Sequence, residues 1–301
     1  MTAYRIVYVP GMRPKPEPAL HRRALLEVLC AALSRVRPAA AERLKREEQR
    51  FELVAWTYCF YRAYRDLRID RPGIERVLAG SGPDEEDLRE IDSLSRKLRR
   101  WWHLFGDSVP WLTEAIADEE MRGLLAEVRR YLANEDGIGD EIRELVKMPV
   151  LRAWDAGESV MLVGHSLGSV IVYDTLWELS QEDGMAGEVD LLITLGSPLA
   201  TRFIRKSLRG ADQHGSRRYP ANIRRWINFS ARGELTALHP RLGPFFGKIV
   251  EQGHTALLED HSDLCNAFHA DFGVNTHKSY GYLADPLVAD AIGAWIESQP
   301  A

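Results

Sequence analysis

The segment Gly164-His165-Ser166-Leu167-Gly168 sets a hydroxyl between two glycines. Serine is a weak nucleophile unless a base takes its proton and a carbonyl can come within bonding distance. A sharp turn from a strand into a helix meets the second need, and small residues on either side let neighbouring backbone approach. G-x-S-x-G alone arises by chance in about one chain of this length in ten at average glycine usage, so the flanks decide. Val160 to Val163 reads as a buried strand entering Gly164, and Val170 to Leu176 reads as the helix that leaves. The helix would aim its partial positive N-terminal charge at the site, where an oxyanion develops during acyl transfer. Ser166 is therefore the expected nucleophile, with Gly164 and Gly168 as the glycines of the turn. His165 is expected to pack or to bond locally, because adjacent side chains diverge on a tight turn.

The elements that must position this serine follow from the rest of the pattern. The 301 residues, 45% hydrophobic and 28% charged, have the composition of an ordinary globular protein. Apolar or β-branched runs at 4–9, 51–57, 159–164, 189–195 and 223–229 predict strands, and 19–35, 168–181 and 286–297 predict helices. Their alternation predicts an α/β fold, a mostly parallel sheet flanked by helices. The interval of about 60–155 is charged and helical in pattern. Within it Leu88, Ile91, Leu94, Leu98, Trp101, Trp102 and Phe105 recur at spacings of three and four. It is expected to be a helical, cap-like insertion within a single domain spanning 1–301.

The run from Gly164 to Asp174, followed by Leu195-Gly196-Ser197-Pro198-Leu199, resembles the lipase-like group of the α/β-hydrolase superfamily. It is similar to DDHD-type phospholipases, GPI inositol deacylase-like proteins and related bacterial hydrolases. The resemblance covers about residues 1–12 and 155–297. It implies the α/β-hydrolase fold, a Ser-acid-His triad, a backbone oxyanion hole and an ester or lipid-like small-molecule substrate. No part of the helical interval shares in it, so it implies nothing about acyl chain length.

In this fold the triad runs in the order serine, acid, histidine. Such families place the histidine in a polar turn shortly before the final helix, where this chain has Asn275-Thr276-His277-Lys278. His277 is the expected base, with His269 and His261 as alternatives. The acid belongs in the loop after the strand 223–229. Similar proteins carry an aspartate there, and Glu234 stands at the matching position, with Asp263 and Asp271 as competitors. The oxyanion hole is expected from the backbone N–H groups of Leu167 and Met12. Met12 lies in the loop Val9-Pro10-Gly11-Met12, where proline has no N–H to give and Gly11 permits the turn. The same nucleophile would also suit an acyltransferase or thioesterase. The proline, and a glutamate where an aspartate is usual, leave open a binding module without activity.

The remaining signals are expected to be structural. Ser197 shapes its loop. Arg202, Arg205 and Lys206 form a solvated helical face or contact an anionic head group. Trp101 and Trp102 pack under the insertion or touch a membrane surface peripherally. Asp84 to Asp87 opens a helix. Cys30, Cys59 and Cys265 form no C-x-x-C pair, so neither a metal site nor a disulfide framework is expected, which fits a cytoplasmic setting. There is no P-loop or G-x-G-x-x-G, so no cofactor is expected. A formal charge of −5 without a basic stripe argues against nucleic acid as a partner.

Overall fold

The computed structural model describes residues 3–80, 82–93, 119–234, 239–270 and 273–300. Six parallel strands form one sheet in the order β2-β1-β3-β4-β5-β6. They are β1 (Tyr4–Val9), β2 (Phe51–Leu53), β3 (Ser159–His165), β4 (Leu191–Leu195), β5 (Arg225–Ala231) and β6 (Leu257–Leu264). The chain starts in the interior at β1, steps outward to β2, then returns past β1 to β3 and proceeds the other way. That reversal opens a crevice at the carboxyl ends of β1 and β3, the place where open parallel sheets hold their ligands. Both the Gly11–Met12 loop and the Ser166 turn leave the sheet there.

Near-continuous apolar strands are what a sheet covered on both faces requires. Ile6, Tyr8, Met161, Val163, Leu191 and Ile193 pack to one side with the helices Pro18–Val36 and Pro286–Ser298. Val7, Val9, Val160, Leu162 and Leu192 pack to the other with Ile138–Asp155 and Leu167–Trp177. The helix Ile138–Asp155 buries Ile142, Val146, Val150 and Ala153 in that second layer. The end of the charged interval thus covers the sheet itself. Its middle carries the helices Thr57–Tyr61, Arg71–Leu78, 85–93 and Glu119–Leu132. Leu94, Leu98, Trp101, Trp102 and Phe105 lie outside the described residues.

The observed strands depart from the expected ones in their boundaries and in one addition. The strand expected over 51–57 ends at Leu53, and Thr57 already opens a helix. The run at 189–195 begins its ladder at Leu191, with Val189 making only an isolated bridge to Ile223. The sixth strand was not expected at all. Leu-Leu-Glu-Asp-His-Ser-Asp-Leu carries no apolar alternation, because β6 lies at the sheet edge and is mostly half-exposed. The acidic run is a helix start: the Asp84 carboxylate accepts from the N–H groups of Glu86 and Asp87, each at 2.9 Å.

His21 sits buried on the helix Pro18–Val36, against Tyr280 at 6.2 Å between ring centroids. Burial, with the ammoniums of Lys15 and Lys278 adding to it, lowers its pKa to about 3. The folded protein therefore binds fewer protons here than the unfolded chain, whose imidazole titrates near 6.5. The stability His21 permits is whole above that value and falls as the pH drops from there toward 3. At pH 5 the loss is about 2 kcal/mol. Urea unfolding of wild type and His21→Leu at pH 8 and pH 5 checks this: the variant should lose about that much less. Equal losses in both proteins would mean that His21 is not held neutral.

Candidate active site

Ser166 is at φ 54°, ψ −127°, a backbone conformation that an L-residue adopts only when its surroundings impose it. The imposition is visible on every side. Its N–H donates to the Leu195 carbonyl at 2.9 Å, fixing the turn to β4. A Cβ on Gly168 would lie 2.2 Å from the Val9 carbonyl oxygen, and one on Gly164 would lie 2.7 Å from the Ser169 Cα. Both glycines are thus required by close approach of backbone. Behind the turn, a chain of hydrogen bonds runs from the Leu199 N–H through Ser197 Oγ and Ser169 Oγ to the Ser166 carbonyl, at 3.2, 2.7 and 2.6 Å. Ser197 therefore shapes the loop behind the turn.

The structure brings Ser166, His277 and Glu234 together. Ser166 Oγ lies 2.8 Å from His277 Nε2, and His277 Nδ1 lies 2.7 Å from Glu234 Oε1. An ionised carboxylate can only accept, so Nδ1 carries the proton and Nε2 is left to accept from the serine hydroxyl. Glu234 is buried directly after the left-handed Gly233, which turns the chain at the end of β5. Its other oxygen accepts from the Tyr282 hydroxyl at 2.7 Å, and that hydroxyl accepts from the Ala231 N–H at 2.9 Å. Burial and the adjacent Glu234 raise the Tyr282 pKa well above its usual value, so it remains a donor. Thr276 Oγ1 donates to the Gly233 carbonyl at 3.1 Å, tying the histidine's loop to the acid's loop.

His165 has the local role its place in the turn suggests. Its Nε2 donates to the His277 carbonyl at 2.8 Å, and the two rings lie 4.7 Å apart. Burial first, then the neighbouring His277, lowers its pKa well below the usual imidazole range and keeps it neutral. Its Nδ1 is buried without a hydrogen-bond partner among the described residues.

Gly11 approaches the turn from β1. A Cβ there would lie 2.7 Å from Ser166 Cβ and 2.9 Å from His165 Nδ1. Met12 follows, buried, with its carbonyl accepting from Lys15 Nζ. Leu167 opens the helix Leu167–Trp177, so its N–H has no carbonyl within that helix to bond.

The alternatives lie elsewhere. His269 Nε2 bonds Asp87 at 2.6 Å, and His261 stacks on Phe229 at the sheet edge. Asp263 is exposed on β6, and Asp271 lies outside the described residues. Arg205 stacks on Phe245 at 4.2 Å, and the helix Arg202–Ser207 carries Arg202 and Lys206 beside it. Tyr282 and Gly196 were missed by sequence reasoning. Gly196, at φ 53°, leaves room where a Cβ would meet Glu234 Oε2 at 2.8 Å and His277 Nδ1 at 3.1 Å. Its place in Gly-Ser-Pro after a strand was the only available signal.

Among the described residues, no group of His, Cys, Asp or Glu side chains is arranged to hold a metal ion, and no helix is long and apolar enough to cross a membrane. Comparison with protein-family models, with curated proteins and with solved structures finds no match to this chain.

Proposed function

We propose that this chain is a serine hydrolase of the α/β-hydrolase class, cleaving a carboxylic ester of a small or lipid-like acyl compound through an acyl-enzyme on Ser166. The observation that carries the reading is the unbroken line from Ser166 Oγ through His277 to the buried Glu234, at 2.8 and 2.7 Å. The strained serine at the crevice between β1 and β3 supports it, because such strain is retained where a side chain must be presented to a ligand.

The chemistry follows from these positions. His277 Nε2 takes the Ser166 proton as Oγ attacks the ester carbonyl. Glu234 stabilises the imidazolium that forms, and Tyr282 holds the carboxylate in place. The N–H groups of Leu167 and Met12 receive the oxyanion. His277 then gives its proton to the leaving alcohol, and the acyl-enzyme remains. Water, deprotonated by the same Nε2, attacks the acyl carbon and releases Ser166 with the carboxylic acid.

A fluorescent fluorophosphonate tests this directly. Wild type should label and Ser166→Ala should not, with both proteins showing the same unfolding transition. A folded wild type that fails to label would remove Ser166 as an activated nucleophile.

A further inference from the structure

The loop that carries the Met12 N–H is held from outside the Ser166–His277–Glu234 line, by two aromatic side chains that follow β2. Trp56 precedes the helix Thr57–Tyr61, and Tyr61 ends it. β2 brings them to the loop because its bonding to β1 continues past Leu53, where the Val54 N–H donates to the Tyr8 carbonyl at 2.9 Å. The Trp56 Nε1–H donates to the Pro10 carbonyl at 2.8 Å, with the indole fully buried. The Arg13 N–H donates to the Tyr61 hydroxyl at 3.0 Å. That hydroxyl donates in turn to Glu127 Oε2 at 2.8 Å.

The peptide groups of this loop are not held alike. A carboxylate can only accept, so the phenol proton goes to Glu127 and an oxygen lone pair is left for the Arg13 N–H. Burial raises the Tyr61 pKa, so the phenol keeps that proton. The carbonyl of the same peptide, that of Met12, accepts from Lys15 Nζ. Both polar atoms of the Met12–Arg13 peptide are therefore engaged, with Arg13 at φ 71°, a left-handed conformation uncommon for a residue with a Cβ. On the other side of Gly11, Trp56 holds the carbonyl of the Pro10–Gly11 peptide. Between the two lies the Gly11–Met12 peptide, whose carbonyl and N–H enter no hydrogen bond among the described residues. Its neighbours are pinned while its own N–H is left for a ligand, in a loop so close to the turn that a Cβ on Gly11 would lie 2.7 Å from Ser166 Cβ. A donor fixed before charge develops, and not spent on the protein, is what oxyanion stabilisation requires.

We propose that Tyr61 is a positioning residue for the Met12 N–H: its hydroxyl, oriented by Glu127, holds one neighbouring peptide as Trp56 holds the other. The role rests on the hydrolase reading, since it is the oxyanion of acyl transfer that this N–H would meet. Tyr61 does not touch the reacting carbonyl in this role; it acts by fixing the peptide next to the one that does. Loss of its hydroxyl frees the Arg13 N–H, lets the Met12 peptide groups rotate, and weakens the transition state more than the bound ester.

The test compares wild type with Tyr61→Phe, a change that removes one oxygen from a half-buried side chain. The readouts are kcat and KM for 4-nitrophenyl butyrate and Ki for butyl trifluoromethyl ketone. The ketone reproduces the tetrahedral stage: Ser166 Oγ bonds its carbonyl carbon, the serine proton passes to His277 Nε2, and the carbonyl oxygen becomes an oxyanion. Tyr61→Phe should lower kcat about tenfold, raise Ki by a similar factor and leave KM within about twofold. The deciding comparison is made in Gly11→Ala, where the loop is already displaced. There Tyr61→Phe should cost at most about twofold more in kcat, because both changes act through one N–H. A role confined to packing would instead multiply the same loss into both backgrounds, which overturns the proposal. So does a rise in KM with kcat and Ki unmoved. If wild type cleaves the ester and binds the ketone but Tyr61→Phe matches it in both, the positioning role falls alone. If wild type does neither, the hydrolase reading falls and takes the role with it.

Discussion

Glu234→Gln should keep the fold and lose about 10⁴-fold in kcat, because the substitution reverses the proton on His277. The Tyr282 hydroxyl accepts from the Ala231 N–H and so spends its own proton on Glu234 Oε2. In the variant this proton claims the amide oxygen and turns the NH₂ toward His277. Nδ1 must then accept, Nε2 carries the hydrogen, and the ring faces Ser166 Oγ with a donor where an acceptor is needed. Steady-state ester hydrolysis, with unfolding monitored in parallel, checks the outcome. Activity within tenfold of wild type would remove Glu234 from the acid's role. Combining the variant with Tyr282→Phe frees the amide to rotate, and part of the loss should return. A structural defect at Glu234 would instead deepen with the second change.

Gly11→Ala is expected to lower kcat by about 10²-fold while the Ser166–His277 pair stays intact. The added Cβ would meet Ser166 Cβ at 2.7 Å and His165 Nδ1 at 2.9 Å. Neither can retreat easily. Ser166 is fixed by the Leu195 carbonyl and the serine chain behind it, and His165 is fixed by the His277 carbonyl. The loop after β1 must therefore move, carrying the Met12 N–H away from the place where the oxyanion forms. Because the nucleophile and its base are spared, fluorophosphonate labelling should slow without vanishing. Full ester activity in the variant would show that this loop supplies nothing to the reaction.

Much of the sheet could be read from residue order, since strand and helix periodicities are properties of the backbone and appear wherever one face is buried. The runs at 4–9 and 159–164 and the final helix stand close to where the pattern puts them. The Gly164–Gly168 spacing was equally legible, because the need for missing Cβ atoms is local to one turn. β6 was not, since an edge strand buries too little to impose a pattern. Neither was Tyr282, whose hydroxyl meets Glu234 across 48 residues of chain.

The sequence by itself determined an alternating α/β chain, a turn built to present Ser166, and a short choice of histidines and carboxylates. Only the tertiary structure decided among them. His277 and Glu234 meet because the loop after β5 and the turn before the last helix converge at the carboxyl edge of the sheet, tied by the Thr276–Gly233 bond. The same convergence stacks Gly11 and Gly196 against the site. Contacts between distant segments depend on strand order and chain reversal, and no local spacing encodes those.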